Sequence, residues 1–185
     1  RNITENTTIA DQVLGSTGDD ENALRITGAS VTLKEVSIDK QEGKSSSTEG
    51  GDFYGMNAAL LATDGAQVTI EDSTVHSSAA NGNGLFSYGK GTKMMAKNVT
   101  ITTTSHNSGG IQTTGGGETE AENLTVATSG DSSAAIRSDR GGGTVRVKGG
   151  TFVTAGHGSP AIYSTADIGV EGAALKALHS EGAVI

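Results

Sequence analysis

Cysteine and tryptophan are absent, there is one proline, and three tyrosines and three phenylalanines are spread over 185 residues. Without cysteine there is no disulfide framework, and the redox compartment cannot be read. With aromatics at 3% and apolar residues at 34%, a globule built around large side chains is excluded. No apolar run approaches the ~18 residues of a membrane-spanning helix, so membrane insertion is not expected. Positive charge is scarce as well: 13 Lys and Arg against 21 Asp and Glu give a net charge of −8. That balance argues against nucleic acid, whose phosphates need a basic face, and disfavours purely electrostatic binding to anionic lipid. No signal peptide is visible at Arg1, and nothing in the composition asks for a cofactor.

What the chain has is glycine, 28 of them, and abundant Ser, Thr and Asn. Such a composition suits disorder, but the apolar residues are spaced too regularly for that. An apolar anchor recurs after a small residue at Leu24, Leu60, Leu85, Ile111, Ile136, Ile162 and Val184. From Leu60 onward the steps are 25, 26, 25, 26 and 22 residues. A second element, apolar-x-apolar-x-x-apolar-x-apolar, follows each complete anchor. It reads Val31, Leu33, Val36, Ile38 at its first occurrence and Met94, Ala96, Val99, Ile101 at its third. At its last it reads Ile168, Val170, Ala173, Leu175.

The spacing of two inside each half marks strand faces, and the two-residue gap between halves marks a sharp corner. A unit of three short strands cannot bury its own apolar side, but units stacked ~4.8 Å apart can. The expected fold is therefore all-β, a single-stranded parallel β-helix of about six rungs of 22–26 residues over residues 1–185. Leucine-rich repeats have similar lengths but want a Leu-dominated consensus. Helical arrays are opposed by joints such as Gly115-Gly116-Gly117.

One outward column supports the register independently: Lys34, Glu71, Lys97, Glu122, Lys148, Glu171. Opposite charges on neighbouring strands help and like charges hurt, so the alternation penalises a slip by one rung. A parallel column of Ser37, Thr74, Thr100, Thr125 and Thr151 suits solvent-facing strand positions.

Three regions depart from the repeat. Residues 1–21 read as a partial rung or cap, with Ile3, Ile9, Val13 and Leu14 inward. Residues 39–55 read as a flexible insertion loop whose Phe53 and Tyr54 dock somewhere. The last residues read as the first strand of another rung, so the array is expected to continue beyond Ile185, with end-to-end contacts possible at an uncapped rung. A capping helix from Ala173 to His179 is the alternative.

The chain-wide pattern resembles the right-handed parallel β-helix superfamily that includes pectate lyases and polygalacturonases. It is more similar to the Gly/Ser/Thr/Asn-rich β-helix repeat proteins of bacterial cell surfaces, often labelled adhesins. The resemblance implies a right-handed coil and an extracellular, cell-surface location. Gly18-Asp19-Asp20, Gly156-His157-Gly158 and Arg146-Val147-Lys148 resemble the catalytic motifs of polygalacturonases. The aspartates and His157 fall about five rungs, some 25 Å, apart, too far to meet at one glycosidic bond, so no catalytic residue is assigned.

Two candidate sites remain. His106, Asp131 and His157 recur at one rung position and are weak metal candidates; solvated turn residues are the plainer reading. The outward face of the anchor strands carries Leu61, Phe86, Tyr88, Arg137 and Tyr163, and exposed aromatics beside polar groups suit a glycan or a protein partner. Alternatively, Phe53 and Tyr54 fold over Leu61, Phe86 and Tyr88 to make a satellite hydrophobic cluster. The expected function is a noncatalytic adhesin or rigid stalk, with a polysaccharide-binding or polysaccharide-cleaving β-helix as the alternative. Four Asn-x-Ser/Thr sequons (Asn2, Asn6, Asn98, Asn123) are what an Asn- and Thr-rich chain produces by chance.

Overall fold

The computed structural model describes all residues from Arg1 to Ile185, and it is an all-β parallel solenoid of about seven rungs. Each rung has three strands. The anchor strands stack into one eight-stranded parallel sheet, running from Asn2–Ile3 through Leu60–Thr63, Leu85–Tyr88 and Ile111–Thr114 to Ala183–Val184. The second strands begin at Thr7–Ala10 and end at Asp167–Glu171; the third begin at Val13–Ser16 and end at Ala174–Ala177. In rungs three and four the second and third strands run on without a break as Gln67–Ser77 and Lys93–Thr103.

Residues 1–21 form a complete rung rather than a partial one, because Asn2–Ile3, Thr7–Ala10 and Val13–Ser16 each pair in parallel with the following rung. Ile3, Ile9 and Leu14 are buried there, as expected, but Val13 is 80% exposed. Alternation decides this: Leu14 takes the inward position, so its neighbour must face out. At the other end Ala174–Ala177 pairs with Thr151–Thr154, which replaces the alternative capping helix by a strand. The last anchor is Ala183, opposite Ile162, one residue earlier than the spacing suggested.

The apolar motif forms the interior. Leu33, Ile38, Ile70, Met94, Ile101, Leu124 and Phe152 are all fully buried. Between the second and third strands the corner residue has positive φ: 54° at Asp11, 52° at Glu35, 49° at Asp72, 53° at Asn98 and Asn123. Asn and Asp tolerate this left-handed conformation better than other side-chain-bearing residues. They also stack: Asn98 Nδ2 donates to Asp72 Oδ1 at 3.1 Å, and Asn123 Nδ2 to Asn98 Oδ1 at 2.9 Å. Since Thr100 and Thr125 are the outward residues two positions on, the sequons at Asn98 and Asn123 follow from the corner. Asn2 and Asn6 likewise use their side-chain oxygens on Thr27 and Ser30 of the next rung.

A second ladder lies inside. The Ser133 hydroxyl accepts from Ser108 N–H at 3.0 Å, and the Ser159 hydroxyl accepts from Ser133 N–H at 2.9 Å. Each hydroxyl also donates to a carbonyl of the preceding rung, Ser133 to Ser105 and Ser159 to Gly130. These serines are fully buried, so composition alone would have placed them outside. Their signal was positional: each sits three residues before an anchor isoleucine.

Lys40 corrects the bounds of the insertion. Asp39 and Lys40 belong to the strand Ser37–Lys40, and Lys40 is turned inward and fully buried. Its ammonium donates to Gly18 O and the Ser16 hydroxyl. Burial pulls its pKa below the usual lysine value, against the opposing pull of Glu21 and Asp19.

Candidate functional site

The insertion is not a plain loop. Thr48–Tyr54 forms a seven-residue helix, N-capped by the Ser47 hydroxyl, which accepts from Gly50 N–H at 2.9 Å, and closed by Gly55 at φ 73°. Two glycines make this a poor helix by propensity, so docking must hold it. It lies across the outward face of the anchor sheet, where Gln112 Nε2 donates to Asp52 O at 2.8 Å and the Thr114 hydroxyl to Phe53 O at 2.6 Å. Asn22 holds the far end, donating to Gly55 O and Ala58 O at 2.9 and 2.8 Å. The glycines allow the approach: a Cβ on Gly51 would meet Asn81 Cβ at 2.5 Å.

This placement divides the candidate residues. The anchor-face register is as expected, with Leu61, Phe86, Gln112, Arg137 and Tyr163 opposite one another on consecutive rungs. Leu61 and Phe86, however, are 3% and 0% exposed and pack with Ala58 in a cluster separate from the solenoid interior. They are sealed beneath the insertion and cannot meet a ligand. Tyr88 flanks that cluster and meets Tyr54 edge-on at 5.5 Å between ring centres. Phe53 is half-buried, with the Arg140 guanidinium 4.1 Å above its ring. Arg140 also pairs with Glu49 at 2.7 Å, clamping the helix from rung six.

Arg137 and Tyr163 remain at the margin of the helix. They line a cleft of about 300 Å³ together with Asp52, Asn107, Ser132 and Pro160. Arg137 Nε donates to Asp139 Oδ2 at 3.1 Å, and its Nη2 contacts the same oxygen. Nη2 also lies 4.0 Å from Asp52 Oδ2, and the guanidinium carbon is 5.3 Å from the Tyr163 ring centre. Asp52 is 8% exposed. Burial pushes its carboxyl above the usual range, Arg137 and the Asn81 amide pull it back, and Asp139 pushes it up again. The cleft thus offers a carboxyl, an oriented guanidinium, an amide, a hydroxyl and an aromatic rim, a set suited to a polyhydroxylated ligand.

Because the folded pKa of Asp52 lies above its unfolded value of 3.8, the group adds stability below that value and loses it as pH rises through the folded pKa. Asp52→Asn should therefore make the protein more stable at neutral pH and flatten its stability profile above about pH 4. Thermal melts of both proteins at pH 4 and pH 7 check this; a lower melting temperature for the variant at pH 7 would contradict it.

His106, Asp131 and His157 do stand on consecutive rungs, but they serve the stack. His106 Nδ1 accepts from Asp131 N–H at 3.1 Å, and Asp131 Oδ1 accepts from His157 N–H at 2.9 Å. No three His, Asp or Glu side chains converge to form a metal site. The polygalacturonase-like triplets also have local roles. Asp19 and Asp20 accept from the backbone of Lys44 and Ser46 at the first rung, and Arg146 pairs with Asp167 at 2.8 Å on the sixth. No family model, curated protein or solved structure matches the chain.

Proposed function

We propose that the chain is a noncatalytic, extracellular β-helix segment of a bacterial surface protein, a rigid stalk that carries a glycan-recognition cleft beside its insertion. The observation that carries this reading is the cleft itself. It is the place where an irregular insertion meets a regular sheet and leaves Asp52, Arg137 and Tyr163 together at an accessible edge. Its size lies at the lower end for small-molecule sites of roughly 300–1,000 Å³ and suits one or two sugar units. Rigidity follows from parallel pairing along the whole stack, and a scaffold that holds loops fixed is the usual support for recognition. The surface location rests on the resemblance to Gly/Ser/Thr/Asn-rich β-helix proteins.

A glycan array probed with the wild-type chain, Arg137→Ala and Tyr163→Ala tests the cleft. Wild type should retain a defined set of glycans, and each variant should lose about tenfold or more in affinity, roughly 1.4 kcal/mol. Unchanged binding in both variants, or no glycan held by any of the three, would remove the cleft from consideration. A protein partner held through the same residues is the competing outcome.

A further inference from the structure

The outward face formed by the second strands is unlike the rest of the molecule. Its five cations, Lys34, Lys93, Lys97, Arg146 and Lys148, nearly balance its six carboxylates, Glu71, Glu118, Glu120, Glu122, Asp167 and Glu171. The whole chain carries −8, so the excess negative charge lies almost entirely elsewhere. The same face bears a groove of about 590 Å³ across rungs three to seven, with Met95, Ala121, Val147 and Val170 among its lining residues. Met95 is 41% exposed and is the one large apolar side chain exposed on the second strands.

Pairing fixes the column of alternating charge without a gap: Lys34 opposite Glu71, Glu71 opposite Lys97, then Glu122, Lys148 and Glu171 in turn. Within the chain only Lys97 and Glu122 of this column come within ion-pair distance, at 3.8 Å. Its other charges are available to a partner. Six alternating charges have a property that does not depend on their neighbours in the chain. Reversed end to end, the column presents Lys to Glu at every position: Lys34 to Glu171, Glu71 to Lys148, Lys97 to Glu122.

We propose that this face is a homodimer interface, two copies packed face to face about a twofold axis that runs parallel to the strands between rungs four and five. That axis makes the contact isologous and closed. It also sets Lys93 against Glu118 two columns away, and in the column between it brings the two Met95 side chains to either side of the dyad, about one rung spacing of ~4.8 Å apart, each facing Glu120 of the other copy. Each methionine then enters the groove of the other copy. The two methionines supply the apolar contact beside the dyad, and the charged columns surround them. Exposed ion pairs are individually weak, so the dimer is expected to be salt-sensitive. This surface is separate from the cleft, and neither reading depends on the other.

Sedimentation velocity of the 185-residue chain tests the proposal at about 0.01 M and about 1 M salt, where the screening length falls from roughly 30 to 3 Å. A dimer is expected at low salt and a monomer at high salt. Lys97→Glu and Glu122→Lys each set like charges across the dyad twice, so each alone should self-associate at least about tenfold more weakly. Mixed in equal amounts they are complementary at all six positions and should form a heterodimer. The double variant Lys97→Glu/Glu122→Lys should dimerise like wild type. Single and double variants alike place two like-charged neighbours in their own ladder, so a loss of fold stability cannot produce this pattern. A wild-type monomer at low salt, single variants that associate as well as wild type, or a mixture that stays monomeric would each overturn the proposal.

Discussion

Gly130→Ala is expected to cost more than about 4 kcal/mol, the range reached by few single substitutions, or to prevent folding. A Cβ at Gly130 would overlap the Ser105 carbonyl and lie 2.8 Å from His106 N, both backbone atoms of the rung below. At the next rung, Gly156 stands in the same relation to the Gly130 carbonyl. These carbonyls are also acceptors for the buried hydroxyls of Ser133 and Ser159. An added methyl group would push the rungs apart and leave those groups unpaired, at about 1–3 kcal/mol each. Chemical denaturation measures the loss, and hydrogen exchange at Ser108 and Ser133 amides should show where the stack opens. Gly182→Ala is the control, since nothing lies within 4 Å of a Cβ there. A Gly130→Ala protein within about 1 kcal/mol of wild type would mean that the close rung spacing at this corner is wrong.

Phe86→Ala should undock the insertion without unravelling the solenoid. Truncating a fully buried phenylalanine costs about 3–5 kcal/mol, and here the loss falls on a cluster outside the rung interior, formed by Ala58, Leu61 and Phe86. A solenoid is held by neighbour contacts and opens locally. Amide protection should therefore vanish over Thr48–Tyr54, while the β signal in circular dichroism persists. Glycan retention should fall as well, because Asp52 leaves the cleft with the helix. If protection over the helix is unchanged while binding is lost, Phe86 is a ligand contact and the covered-face reading fails.

Phe86 and Gly156 show what could be read from the sequence and what could not. The period of two places Phe86 on the outward anchor face, and its pairing with Leu61 and Gln112 agrees. Whether it met solvent depended on the insertion, whose decisive contacts, such as Gln112 to Asp52, join residues 60 positions apart. Composition marked residues 39–55 as flexible because Gly and Ser weaken any local preference. A helix forms there only because a sheet face lies beneath it. Gly156 falls in a triplet that resembles a catalytic motif, but its role is to let one rung approach the next.

The sequence by itself determined the solenoid, its register and its charge ladder. Each of these repeats at a fixed rung interval and alternates with period two, so one-dimensional spacing carries the information. The tertiary structure alone decided which polar residues lie inside and which outward residues are covered. Lys40 and the serine ladder are buried because partners on adjacent rungs satisfy them, and hydrogen-bond satisfaction leaves no periodic mark in a sequence. The cleft came from the same source. Arg137 and Tyr163 share the rung interval, but Asp52 has no place in it, and only the docking of one short helix across the stack adds it to them.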